Sequence, residues 1–114
     1  MEAFRVTLIN PDGTSAVTYR ANVQDKGWLD WQNSGEIAGT EGQSLRVEAL
    51  EIKLTGELAE KYDVVYRAHC EGIGWTDWVK NGETAGTQGQ NKRVEAIQIK
   101  LVIKLQPGTN KPNR

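Results

Sequence analysis

The chain contains one 38-residue segment twice, and this duplication constrains its fold more than any other feature of the sequence. Residues 17–54 align without a gap on residues 64–101, an offset of 47 positions, and 22 of the 38 aligned residues are identical. A fixed period of this size is typical of repeat architectures, in which neighbouring units share a core that no unit forms alone. The sequence therefore predicts two copies of one structural unit.

Within each copy, apolar and polar residues alternate with the period of a β-strand. The segment "VTYRANV" at residues 17–23 is apolar at every second position, and "VVYRAHC" repeats the pattern in the second copy. A second segment, "RVEALEIKL" at residues 46–54, changes phase after Ala49, and "RVEAIQIKL" at residues 93–101 changes phase at the same place. A repeated change of phase predicts a β-bulge or a bend in this strand.

These patterns place the chain in the all-β class, as tandem β-repeats forming one small domain of antiparallel sheets. Each unit is predicted to contain a first long strand, a short strand at "WLDWQ" or "WTDWV", a glycine-rich loop and a second long strand. The patterns leave two arrangements of the sheets open, a sandwich and a prism-like ring. Only "GELAEKY" could form a helix, of one turn.

The two ends of the chain fit the same scheme. The segment "FRVTLI" at residues 4–9 resembles the second half of the second long strand, so we interpret it as the end of a further repeat. It leads through a predicted turn, "NPDG", into the first copy. The last strand is predicted to continue to Leu105. We therefore predict a single repeat domain over residues 1–105 and a polar tail or linker over residues 106–114.

Composition argues against several classes of partner. The 114-residue chain has a formal net charge of −1, with 14 basic and 15 acidic residues, whereas surfaces that bind nucleic acid carry a basic excess. No apolar segment approaches the roughly 20 residues of a membrane-spanning helix, and we find no signal-peptide pattern. We therefore predict no nucleic-acid partner, no membrane partner and no cofactor.

The sequence offers no catalytic or metal-binding constellation. His69 is the only histidine, and its counterpart in the first copy is Asn22, whereas duplicated chemistry would keep its base in both copies. Adjacent residues of a strand point to opposite faces, so His69 and Cys70 cannot form a nucleophile–base pair, and we expect a surface histidine and a buried thiol. Glu48 alternates outward beside Arg46, so we expect a solvated side chain there. We predict no catalytic residues and no metal site.

The four tryptophans occupy matching positions, Trp28 and Trp31 in one copy and Trp75 and Trp78 in the other. An exposed indole is a flat apolar platform on which the C–H face of a sugar can stack, while polar neighbours bind its hydroxyls. The competing interpretation is that tryptophans fill the core, since the chain has only one Phe and three Tyr besides. Positions three apart in a straight strand point to opposite faces, so one tryptophan of each pair could be buried and the other exposed.

The glycine-rich loop, "GTEGQ" or "GTQGQ", lacks the helix and the Lys-Ser/Thr of a phosphate-binding loop. We favour glycines that supply positive φ in a tight β connection, although the loop could also contact a ligand. The predicted ligand-binding set combines the tryptophans with nearby polar and loop residues. It comprises Trp28, Asp30, Trp31, Glu36, Gly39, Thr40 and Gln43 in the first copy, and Trp75, Asp77, Trp78, Glu83, Gly86, Thr87 and Gln90 in the second.

The ordered motifs Y-R-A, G-W-x-D-W, G-E-x-A-G-T-x-G-Q and R-V-E-A-[LI]-x-I-K-L resemble the clostridial hydrophobic repeat with its conserved tryptophan, the ChW repeat. The resemblance implies a non-catalytic cell-wall-binding module of a peptidoglycan-lytic enzyme, an endolysin or autolysin. Its implied location is the extracellular surface of Gram-positive bacteria, reached by secretion or by phage lysis.

The partners implied by the resemblance are a wall glycan, either peptidoglycan or a secondary wall polymer, and a covalently attached catalytic domain. The alternative is a cell-surface adhesion or protein-interaction module that assembles with itself, which would make the chain a homo-oligomer.

Overall fold

The computed structural model describes residues 1–9 and 16–104, and their regular structure is almost entirely β. This confirms the all-β class, and the one helix of the described residues is a single turn within "GELAEKY". Leu105, the 106–114 tail and the "NPDG" turn lie outside the described residues. The elements in chain order are β1 (Ala3–Arg5), β2 (Ala16–Val23), β3 (Gly27–Trp28), β4 (Gln32–Asn33), β5 (Ile37–Gly39), β6 (Val47–Thr55), α1 (Glu57–Lys61), β7 (Tyr62–Cys70), β8 (Gly74–Trp75), β9 (Val79–Lys80), β10 (Ala85–Gly86) and β11 (Val94–Ile103).

Each repeat forms the same antiparallel sheet. The two long strands pair along their lengths, β2 with β6 in the first copy and β7 with β11 in the second. Short strands pair with the other edge of the first long strand, β3 and β4 on β2, and β8 and β9 on β7. The prediction of one short strand per unit was wrong, because "WLDWQ" and "WTDWV" arch away from the sheet between two brief pairings.

The predicted irregularity of the second long strand is a register shift at the same place in both copies. In β6, Val47 pairs with Val23 but the next pair is Ala49 with Asn22, which leaves Glu48 as the extra residue. In β11 the shift falls between Val94 and Ala96. The bulge confirms the prediction and puts apolar residues of both phases into the core.

The two copies are joined edge to edge, because β10 of the second copy pairs with β6 of the first. Gly86 lies opposite Ala49 in that pairing. In the same way β5 of the first copy pairs with β1, with Gly39 opposite Ala3. β1 therefore occupies the position of the second long strand of a preceding unit. It is shorter than the predicted strand at residues 4–9 and begins one residue earlier.

One hydrophobic core runs through both copies. Tyr19, Ile52 and Tyr66 are fully buried in it, each on a different long strand. The three sheets meet around an open apolar cavity of about 340 Å³, to which Leu54 and Leu101 contribute from the two copies. This convergence fits the prism-like arrangement of the two that the sequence left open.

None of the helical structure in residues 1–9 and 16–104 has the length or the apolar character needed to cross a membrane.

Candidate functional site

A stack of indoles and basic side chains covers the outer face of the first sheet. Strand alternation points Arg20 away from the core and between two indoles, with its guanidinium carbon 4.6 Å from the ring centroid of Trp28 and 4.7 Å from that of Trp31. The Lys53 ammonium lies 4.3 Å from the Trp31 centroid. Cation–π contacts of this kind contribute about 0.5–1 kcal/mol each at exposed sites. We call Trp28, Arg20, Trp31 and Lys53 the first ladder.

The second copy repeats the stack, and we call Trp75, Arg67, Trp78 and Lys100 the second ladder. The Arg67 guanidinium carbon lies 4.6 Å from both indole centroids, and the Lys100 ammonium lies 4.6 Å from that of Trp78. One construction thus unites three motifs of the repeat: the Arg of Y-R-A, the tryptophans of G-W-x-D-W and the Lys of I-K-L. The sequence-based ligand set missed the basic residues, although their identity at equivalent positions of both copies was an available signal.

The tryptophans do not fill the buried core of the described residues, contrary to the competing interpretation. Trp75 and Trp78 are 38% and 39% exposed, and Trp28 and Trp31 are half-buried. The possibility that one tryptophan of each pair is buried and the other exposed does not hold either, because both indoles of a pair contact the same Arg. The arch after Trp28 and after Trp75 leaves strand geometry, so the second indole returns to the same face and lies across the Arg from the first.

An aspartate lies exposed in each arch, Asp30 in the first copy and Asp77 in the second. Each follows its first tryptophan by two residues in the chain and precedes the second tryptophan. The outer face of each unit therefore combines flat apolar rings with cationic donors, and the arch between the two indoles carries an exposed carboxylate.

The predicted ligand residues Glu36 and Glu83 close turns. The Glu36 carboxylate accepts the N–H of Asn33 at 2.6 Å, and the Glu83 carboxylate accepts the N–H of Lys80 at 2.8 Å. Their main-chain carbonyls accept the hydroxyls of the two core tyrosines. These contacts give both glutamates a structural role, and their contact with a ligand remains a prediction.

The glycine loop contacts the preceding unit. Gly39 and Gly86 have φ of 109° and 108°, which confirms the interpretation of positive φ. A Cβ at Gly86 would lie 2.5 Å from the carbonyl oxygen of Glu48, so only glycine permits this approach. The next residue, Thr87, donates its N–H to the same carbonyl at 2.9 Å, and Thr40 donates to Glu2 at 3.0 Å.

Glu48 is 3% exposed, so the expectation of a solvated side chain was wrong. The loop of the second copy covers it, and Gly89 donates its N–H to the Glu48 carboxylate at 3.1 Å. Its counterpart Glu95 is exposed, because no unit of the described chain follows it. Burial at this position depends on the neighbouring unit.

Of the remaining predicted loop residues, the two threonines lie at the contact between units and the two glutamines lie in solvent. The Thr40 and Thr87 hydroxyl oxygens are buried without a hydrogen-bond partner in the described structure, whereas Gln43 and Gln90 are exposed at the loop tips. The predicted ligand set thus falls into three places: the ladder face, the turn behind it and the contact between units. The ladder face alone presents exposed aromatic surface.

The two residues considered for catalysis lie as expected. Cys70 is buried, and its burial, followed by the negative charge of Glu95, raises the pKa of its thiol. His69 is on the opposite face of β7, where its Nδ1 lies 3.1 Å from a carboxylate oxygen of Glu95. Residues 1–9 and 16–104 contain no group of three or more side chains that could hold a metal ion.

Comparison with known proteins gives one family. The profile described as Clostridial hydrophobic W, abbreviated ChW, matches residues 22–56 and residues 69–102, one segment in each copy. No curated protein and no solved structure gives a significant match.

Proposed function

The chain belongs to the Clostridial hydrophobic W family, and from this premise we propose that it is a non-catalytic module that binds bacterial cell-wall glycan. The module would serve outside the cell, at the surface of a Gram-positive bacterium, and would hold a peptidoglycan-lytic enzyme on its substrate. The observation that carries the proposal is the pair of exposed ladders, one on each unit.

The ladder suits a sugar polymer for a chemical reason. Sugar rings present flat C–H faces that stack on an indole, and Trp75 and Trp78 each expose nearly two-fifths of their surface. The Arg67 guanidinium and the Lys100 ammonium lie on the same face and can bind hydroxyl, amide or acidic groups of a wall polymer. The exposed Asp77 carboxylate, on the arch between the two indoles, can accept hydrogen bonds from hydroxyl or amide groups.

Within each ladder we assign the stacking platform to the first tryptophan. Two cations lie over the Trp31 ring and two over the Trp78 ring. Trp28 and Trp75 each carry one, the Arg between the pair. The first indole of each pair therefore has one cation fewer over its ring, although the His69 ring also contacts Trp75, with the ring centroids 5.1 Å apart.

Duplication supports a polymeric ligand. Two equivalent ladders can engage neighbouring segments of one glycan chain, and linked weak sites retain a polymer far longer than either site does alone. A small soluble ligand would gain nothing from the second site.

The experiment is sedimentation of the purified chain with purified Gram-positive sacculi. We expect wild type to sediment, Trp28→Ala/Trp75→Ala to remain in the supernatant, and Trp31→Ala/Trp78→Ala to show a smaller loss. Each variant must first show wild-type circular dichroism. Ile73→Ala is the matched control, since it removes an exposed apolar side chain that belongs neither to a ladder nor to β11.

Failure of wild type to sediment would refute wall binding. Equal retention of all variants would refute the ladder as the site. A loss confined to Trp31→Ala/Trp78→Ala would move the platform to the second indole and leave wall binding in place.

A second candidate function, interaction with protein, rests on a different surface, the uncovered side of β11.

A further inference from the structure

The last long strand, β11, lacks the cover that its counterpart β6 has. Ile52 and Leu54 of β6 are 0% and 8% exposed, but their counterparts on β11, Ile99 and Leu101, line the open apolar cavity and are 39% and 41% exposed. Within the described residues β11 is also the terminal strand of its sheet, since it pairs with β7 on one edge only. This edge therefore has both exposed apolar side chains and unpaired main-chain groups, and such an edge can pair with a strand of another chain.

The contact between β6 and the second copy shows what binds to a second long strand. The second copy makes three hydrogen bonds to β6 at fixed positions, as donor in two of them and as acceptor in the third. Thr87 donates to the Glu48 carbonyl, Gly82 donates to the Ile52 carbonyl at 2.7 Å, and the Ile52 N–H donates to the Tyr66 hydroxyl at 3.0 Å.

The first copy makes the corresponding contacts with the N-terminal segment. Thr40 donates to the Glu2 carbonyl, Gly35 donates to the Val6 carbonyl at 2.9 Å, and the Tyr19 hydroxyl lies 3.1 Å from the same oxygen. The same interface therefore occurs twice within the chain, and its acceptor half is presented a third time by β11.

We propose that β11 of one molecule binds the first repeat of a second copy, in place of that copy's own β1. The aligned residues support the exchange: Glu95 would replace Glu2, Ile97 would replace Phe4, and Ile99 would replace Val6. Both segments read Glu-Ala-apolar-x-apolar-x-Leu, at residues 2–8 and 95–101. The Thr40 N–H would then donate to the Glu95 carbonyl, as Thr87 now donates to Glu48.

The occupant is a second copy because the chain carries both halves of this interface. β1 is a three-residue strand that pairs with β5 alone. β11 is a ten-residue strand already held in extended form by β7, so it is the better ordered of the two competitors. Since donor and acceptor are different surfaces, the contact is head to tail, and each added molecule presents a new β11.

The test uses the full chain refolded from urea at several concentrations, so that slow release of β1 does not prevent exchange, followed by sedimentation velocity. We expect wild type to form dimers and longer species as concentration rises. Ile99→Asp should weaken association at least about tenfold, because the carboxylate would be buried without a partner. Val102→Asp is the matched control, an equally exposed residue on the opposite face of the same strand, and should associate as wild type.

A second arm identifies the donor half. A synthetic peptide of residues 1–9 in excess should dissociate the oligomers, because it competes with β11 for the first repeat. Phe4→Ala, which removes the packing of this ring against Tyr19 at 5.5 Å, should release β1 and increase association.

Wild type that stays monomeric after refolding at high concentration would overturn the proposal. So would oligomers that persist in Ile99→Asp or resist the peptide, since they would use another surface. No glycan is present in either arm, and the outcome is therefore independent of wall binding.

Discussion

β6 and β11 have nearly the same sequence and different surroundings. Over their aligned parts they read "VEALEIKL" and "VEAIQIKL", and both pair with the first long strand of their own unit and carry the same bulge. Yet Ile52 is fully buried, whereas Ile99, the same residue type at the equivalent position, is 39% exposed. The difference arises entirely from the unit that follows: the second copy covers β6, and no unit of the described chain covers β11.

This comparison shows that the repeat sequence alone does not decide whether a residue in such an array is buried. The neighbouring unit decides it. Apolar residues in the second long strand serve two cores, that of their own unit and that of the next. The same holds for charge, because Glu48 is enclosed by a neighbouring loop and Glu95 is open to solvent. The same substitution at equivalent positions of the two copies should therefore change the free energy of unfolding by different amounts. The difference between the two changes measures how much the contact between units stabilises that position.

The largest effect is expected at the close approach of the two units. Gly86→Ala places a methyl group 2.5 Å from the carbonyl oxygen of Glu48 and should lower the free energy of unfolding by on the order of 4 kcal/mol, because main chain must move. Gly82→Ala is the matched control, since Gly82 has φ of 88° but open space around it, and should cost roughly 1–2 kcal/mol. Urea denaturation measures both. If both variants lose the same free energy of unfolding, position 86 requires glycine because of its positive φ and not because of its close approach to Glu48.

A smaller effect should separate the two isoleucines. Ile52→Ala should lower the free energy of unfolding by about 2–4 kcal/mol, because it leaves a cavity in the shared core. Ile99→Ala should cost roughly 1 kcal/mol or less, since its side chain already contacts water on one side. Thermal and urea unfolding of monomeric samples at low concentration provide the comparison. If the two variants lose equal stability, β11 is covered in solution at that concentration.

A pH-dependent effect, within the range expected for Ile52→Ala, concerns the tyrosine hydroxyl at the contact between units. Burial raises the pKa of Tyr66 from 10.0 to about 12. Because the folded-state pKa is the higher one, its stabilising contribution is complete below pH 10 and is lost as pH rises to about 12, a fall of roughly 2–3 kcal/mol.

The measurement for Tyr66 is the free energy of unfolding of wild type and of Tyr66→Phe between pH 9 and pH 12. The difference between the two proteins should shrink across this interval, because the variant has no phenol to ionise and all other titrations cancel. A constant difference would show that the phenol ionises alike in both states.

Much of the fold follows from the sequence because its periodicities are local. The alternation from Val17 and from Val64 predicts the first long strands, and the change of phase after Ala49 predicts the bulge. The match of residues 4–9 to the end of a repeat predicts the role of β1. Each of these depends on residues adjacent in the chain, whose side chains alternate across the strand wherever it lies.

The site was harder to predict because it depends on contacts distant in sequence. Arg20 lies between Trp28 and Trp31 only because the chain arches after Trp28, and alternation along a straight strand gives the opposite answer for the two indoles. The strand pattern predicts a solvated Glu48, but a loop about 40 residues later in the chain covers its side chain. The apolar–polar periodicity predicts the side of the strand to which a residue points. It does not predict which other part of the chain packs against that side.

The boundaries of the spatial units and of the sequence repeats do not coincide, since the end strand of each repeat closes the loop of the next. A duplication or deletion of 47 residues, wherever it starts, therefore rejoins the chain with the same pairings on both sides of the junction. Insertion or deletion of one residue within a strand would set apolar side chains on the wrong face. Array length is thus free to vary in evolution by whole periods, with no requirement for a new kind of contact and with the terminal strands left unchanged.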